Sequence, residues 1–125
     1  MVADEGRMAH KDLIVWQKSM GFANQVIDLV ENLETNRKHF RIIEQIEAAV
    51  TSVPVNIAEG KGRNSQKEFI HFLYIARGSL YETLTLLEIF QMRTWIKFDH
   101  FKQLESQANE LAKMINGLIK YLAKN

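Results

Sequence analysis

Glu68-x-x-His71 is the first candidate for chemistry, because residues three apart on a helix share a face. Helical bundles that hold iron or manganese use this pairing twice and add two further glutamates. The remaining histidines, His10, His39 and His100, are preceded three residues earlier by Arg7, Asn36 and Lys97, so no second copy exists. A capping role at a helix start accounts for Glu68 by itself, and neither a metal nor a cofactor is expected. Nucleophile and nucleotide motifs are also missing: there is no Gly-x-Ser-x-Gly elbow, P-loop or Gly-x-Gly-x-x-Gly, and Gly60-Lys61-Gly62 has no strand before it. The absence of cysteine excludes disulfides and thiolate metal sites. No catalytic site is expected.

Positive charge is the second candidate. Between Thr35 and Arg77, Arg37, Lys38, Arg41, Lys61, Arg63, Lys67 and Arg77 outnumber Glu44, Glu47, Glu59 and Glu68 by three. Each such residue that meets a phosphate adds a salt-sensitive increment to nucleic-acid binding. The group divides, however, because Arg37, Lys38 and Arg41 open one helix while Lys61, Arg63 and Lys67 surround its far end. A net charge of +1 supplies no general attraction to nucleic acid. Two readings stand: a basic turn that binds RNA, DNA or a nucleic-acid-bound protein, and a solvated turn in a purely structural or protein-interaction module with no nucleic-acid partner.

The elements that position these residues meet at 50–68, which holds the only proline and two of the six glycines. Pro54 interrupts an apolar pattern that keeps helical spacing on both sides, so a bent but continuous helix is expected, with Thr51, Ser52 and Asn56 serving freed backbone groups. Gly60 can adopt the left-handed conformation that closes a helix. Ser65 with Glu68 reads as a capping box for the next helix. Asn56 and Glu59, one turn apart, are placed to hold Arg63.

Elsewhere the apolar spacing is helical throughout. Leu13, Trp16, Met20, Ala23, Ile27 and Val30 form a seam on a first helix capped by Asp12, with a second stripe of Val15, Phe22, Val26, Leu29 and Leu33. The second helix carries Ile42, Ile46, Val50 (or Ala49), Val53 and Ile57 from near Lys38. The third runs from Ser65 to about Arg93 on Phe69, Leu73, Ala76, Leu80, Thr83, Leu87 and Phe90, with Ile70, Tyr74, Arg77, Tyr81 and Leu84 beside them. The fourth, capped by Asp99, carries Phe101, Leu104, Ala108, Leu111, Ile115, Leu118 and Leu122. The predicted fold is all-α, an antiparallel up-down-up-down four-helix bundle over residues 12–125, kinked at Pro54 and preceded by a flexible N-terminal arm, 1–11. Gly21, Gly78-Ser79 and Gly117 mark expected close approaches, since a mid-helix glycine otherwise costs about 1 kcal/mol. The surplus stripes on the first and third helices imply a partner, with self-association the expected form. No apolar run approaches the roughly 20 residues of a membrane span, and the polar start is no signal peptide, so a cytoplasmic protein is expected.

Several stretches resemble a known family. Gln45-Ile46, Ser52-Val53-Pro54-Val55-Asn56-Ile57-Ala58-Glu59-Gly60, Arg63, Lys67-Glu68-Phe69 and Phe72 to Glu82 are similar to proteins encoded within 23S ribosomal RNA intervening sequences. Asp12-Leu13 with Val15-Trp16-Gln17-Lys18-Ser19 matches that family's opening helix. The resemblance covers roughly residues 10 to 95. It implies a small bacterial four-helix bundle that assembles into a ring-like pentamer and has no enzymatic activity. Relatives include the accessory variability proteins of diversity-generating retroelements, basic barrels that bind nucleic acid and a reverse transcriptase. The chain departs from the pattern at Glu47-Ala48, where a basic pair often stands, and at His39-Phe40 in place of Tyr-Gly.

Overall fold

The computed structural model describes residues 9–33 and 39–124. Four helices carry almost all of them: α1 (Ile14–Glu31), α2 (Phe40–Lys61), α3 (Gln66–Met92) and α4 (Phe98–Ala123), with no strand among the described residues. They pack as a bundle around one cluster drawn from all four. Two pairs run in opposite directions. Gln45 meets Glu82, Ser52 meets Ser79 and Gly60 meets Phe69 and Phe72 between α2 and α3. Lys18 meets Glu110 and Gln25 meets Gln107 between α1 and α4.

The three-and-four spacing becomes burial most cleanly in α3, where Phe69, Leu73, Ala76, Leu80, Thr83, Leu87 and Phe90 are all buried. On α2, Ile46, Val50, Val53 and Ile57 are fully enclosed, and on α4 Leu118 is half-buried while Ala112 and Ile119 join the core. On α1 the two stripes exchange roles. Val15, Phe22, Val26 and Leu29 enter the core, whereas Leu13, Trp16 and Ile27 lie half-buried against it and Met20 is 40% exposed. Phe22 and Val26 are the most enclosed of the two stripes, and only Ala23 and Val30 of the first seam join them in burial. Buried Ser19, which falls between the stripes, donates to the Trp16 carbonyl (2.8 Å).

Several helix ends differ from expectation. Asp12 is not the cap of α1; it belongs to a 3₁₀ turn, His10–Asp12, and accepts from the Ala9 N–H (3.2 Å), so Leu13 stands at the cap. His10 packs edge-on against Trp16, with ring centroids 5.1 Å apart, so the expected arm is structured from there; its residues 1–8 lie outside the described residues. At α4 the cap is Lys97, and Asp99 instead lies inside the first turn, where its charge complements the helix dipole.

The glycines are the largest correction. Among the described residues no glycine has positive φ; Gly60 is buried inside α2, which closes at Gly62. A Cβ on Gly60 would stand 2.8 Å from Phe72 Cβ and 2.9 Å from Phe69 Cδ1, so glycine is required by the close approach of α3. Gly21, Gly78 and Gly117, expected at close contacts, face open space instead. The one positive φ among the described residues belongs to Thr94 (61°), just past α3. There the Trp95 N–H donates to the Phe90 carbonyl (2.9 Å) and the Thr94 N–H to that of Gln91 (3.0 Å), a Schellman closure sealed by Trp95 against Phe90.

Candidate functional site

The α2–α3 turn is built from residues already tied to one another. α2 continues through buried Pro54 to Lys61. Around the proline, Thr51 Oγ1 donates to the Glu47 carbonyl (2.8 Å), and Asn56 Nδ2 donates to both the carbonyl and hydroxyl of Ser52 (2.8 Å each). The Ser52 and Ser79 hydroxyls, 2.8 Å apart, join α2 to α3. Asn56 therefore serves its own helix and does not hold Arg63.

Arg63 is held by other groups. Its guanidinium pairs with Glu59 (2.9 Å), approaches Glu68 (4.0 Å) and lies 4.8 Å from the centroid of the Phe72 ring. The Ser65 hydroxyl accepts from the Glu68 N–H (3.1 Å) and caps α3. Its proton points back to the Glu68 carboxylate (3.1 Å). Only the serine half of the expected capping box is therefore formed, because the Glu68 carboxylate accepts from the Ser65 hydroxyl and approaches Arg63 in place of taking a backbone N–H. Two carboxylates and an aromatic face surround the cation at the centre of the turn, whose side chain is still 41% exposed.

The other basic candidates are distributed as follows. Lys61 is half-buried and Lys67 exposed on the same turn, and neither forms an ion pair among the described residues. Arg41 is exposed at the start of α2, 5.9 Å from the Phe40 ring centroid. Arg37 and Lys38 lie outside the described residues. Glu68 and His71 are both exposed, and no three of the described histidines, aspartates and glutamates are grouped as a metal site. Beside the turn is an open cleft of about 680 Å³ lined by Val55, Ala58, Glu59, Gly62, Arg63, Asn64 and Glu68. Val55, on its wall, is 62% exposed. The cleft and the Arg63–Phe72 stack escape sequence reading, because neighbours nine residues apart across a turn leave no periodic mark.

The model of the 23S rRNA-intervening sequence protein family matches residues 11–117, a span that includes this turn. The chain belongs to that family. It is similar to a crystal structure of a protein of unknown function from the S23 ribosomal protein family of Bacteroides thetaiotaomicron, at 29% identity and a TM-score of 0.80. That likeness covers 86% of this chain and 99% of the other. No curated protein matches the chain. The family match extends past the stretch of sequence resemblance into α4, whose own sequence shows only a pattern.

A second surface emerges away from the turn. Tyr74, Gly78, Tyr81, Thr85, Glu88 and Met92 recur at helical spacing along the outer face of α3, flanked by Ile75 and Ile89, and both tyrosines, both isoleucines, Glu88 and Met92 are exposed. Arg77 lies 4.7 Å from the Tyr74 ring centroid and donates to Asn116 Oδ1 (2.8 Å), binding α3 to α4. Lys113 and Lys120 are exposed one turn to either side of Asn116. No helix of the described residues is long and apolar enough to cross a membrane.

Proposed function

We propose that this member of the 23S rRNA-intervening sequence protein family is a non-enzymatic helical-bundle module that works by associating with copies of itself. The observation that carries this reading is the outer face of α3. Tyr74 (48% exposed), Tyr81 (47%) and Met92 (73%) lie in one line there, next to Ile75 and Ile89. Clustered exposed apolar side chains of this kind mark an interaction surface, here with Glu82 and Glu88 among them. The ring-like pentamer implied by the resemblance is the expected assembly, in the cytoplasm. Light scattering after size exclusion at micromolar concentration tests the reading: a mass several times the 14.5 kDa chain is expected, and a clean monomer would overturn it.

One observation favours a second activity. Lys61 and Lys67 flank the signature turn without ion pairs among the described residues, and a ring would repeat them in every subunit. In this reading the assembled protein binds structured RNA or DNA, or docks on a nucleic-acid-bound protein such as a reverse transcriptase. The cationic contribution comes from Lys61, Lys67 and Arg41, with Arg63 retained as a brace. A gel-shift series across salt concentrations checks it: alanine at both lysines should reduce the salt slope by about one for each phosphate no longer neutralised. An unchanged slope leaves the protein-interaction module alone.

A further inference from the structure

A connected set of polar side chains lies at the middle of the α2–α3 seam, where α2 is weakest. Pro54 has no N–H, so the bond that would end on the Val50 carbonyl is missing from α2. Asn56, beyond the proline, donates from Nδ2 to both the carbonyl and the hydroxyl of Ser52, before it (2.8 Å each). The Ser52 hydroxyl is in turn 2.8 Å from the Ser79 hydroxyl of α3. Buried Thr83 donates from Oγ1 to the Ser79 carbonyl (2.8 Å). Asn56 thus bridges the two halves of α2, and Ser79 anchors that bridge to a neighbouring helix. The half beyond the proline is also the one that meets the cleft: Val55, Ala58 and Glu59 line it, while Glu68 across the opening belongs to α3. That half is held by Ile57 in the core and by Gly60 against Phe69 and Phe72. The half before the proline is held separately, by Ile46, Val50 and Val53 in the core and by Gln45 on Glu82 (3.2 Å).

We infer that α2 is hinged at Pro54, that Asn56 and Ser79 form the clasp that keeps the hinge shut, and that residues 55–61 are a movable wall of the cleft. Deformation of a helix concentrates at an internal proline, because the missing bond and the crowding of the ring against the preceding turn weaken it at one place. Members of a hydrogen-bonded network strengthen one another, so loss of the Ser79 anchor loosens the Asn56 bridge as well. Outward movement of the wall carries Glu59 away from Glu68. The span bridged by Arg63, 2.9 Å from the first carboxylate and 4.0 Å from the second, then widens. Cleft width set in this way is independent of what the cleft binds and of whether copies of the chain associate.

The chain has no cysteine, so one introduced thiol reports opening. Ile57→Cys places it in the core beyond the proline, and Ala49→Cys places it in a buried position before the proline. Half-buried Ala58→Cys is a second reporter beyond the proline, should Ile57→Cys weaken the fold. Each is made in the full chain alone, with Asn56→Ala and with Ser79→Ala, its fold is checked by circular dichroism, and labelling by a soluble aromatic disulfide is timed in native buffer. Loss of one hydrogen bond from the clasp should speed labelling beyond the proline about two- to tenfold in both backgrounds and leave Ala49→Cys unchanged. Thr85→Val, which removes a hydroxyl donating within α3 to the Tyr81 carbonyl (2.8 Å), should change neither rate. Equal acceleration on both sides of Pro54 would mean general loosening of the bundle and overturn the hinge. No acceleration beyond the proline, or the same acceleration with Thr85→Val, would overturn the clasp.

Discussion

The two connections on either side of α3 solve the same problem by different means. The α2–α3 connection has Gly62 at the close of α2, Gly60 just inside the helix and a proline upstream, yet neither glycine has positive φ; Gly60 is there so that Phe69 and Phe72 can come close, and Arg63 is tied down by Glu59 and Glu68. The α3–α4 turn contains no glycine and holds the one left-handed residue among those described, Thr94, forced there by the Schellman closure and the Trp95–Phe90 contact. In the first turn the side chains dictate composition while the backbone is relaxed. In the second, packing of one aromatic residue overrides the local preference of a β-branched residue. Glycine is therefore a poor guide here to where the chain turns left-handed.

That contrast can be broken at its strongest point first. Gly60→Ala is expected to destabilise the fold by about 1–3 kcal/mol, because neither Phe72 Cβ nor the α3 backbone can yield cheaply. Urea unfolding checks it, and an unchanged midpoint would mean that the close approach is not what requires glycine. Ser65→Ala should cost about 1 kcal/mol through loss of the cap on the Glu68 N–H, read in the same experiment. Thr94→Gly should move the other way by about 0.5 kcal/mol. Relief of about 1–2 kcal/mol of left-handed strain is offset by about 0.5–1 kcal/mol of added chain entropy in the unfolded state. A loss at Thr94→Gly would show that the threonine side chain contributes more than its backbone angle costs.

The fold is legible in the sequence because long periodic helices announce themselves. All seven core positions read for α3 are buried, and α2 continues across Pro54 as its spacing requires. The stripes of α1 are harder, since two overlapping apolar stripes on one helix look alike until neighbouring helices select one. The expected caps at Asp12 and Asp99 fall one residue before and two residues after the real ones, because an aspartate near a helix start gives the same local signal on either side of the cap. At the candidate site, Ser65 with Glu68 is readable from its spacing, and so is the Glu59–Arg63 pair. The stacking of Arg63 on Phe72 is not, nor is the cleft, because both depend on how two helices diverge after the turn. The surplus stripe on α3 anticipates the exposed tyrosines.

Pro54 has a kinetic implication of its own. Without an N–H it leaves one rung out of the α2 ladder, above Val50, while Thr51 and Asn56 tie the carbonyls of Glu47 and Ser52 on either side. A helix with a missing rung has a preferred place to part, and the side-chain ties keep such an opening from spreading in either direction. Amide exchange along α2 should then divide into two protected blocks that open independently, with the boundary at the proline. The bundle would breathe there, next to the cleft wall at Val55, without unfolding as a whole.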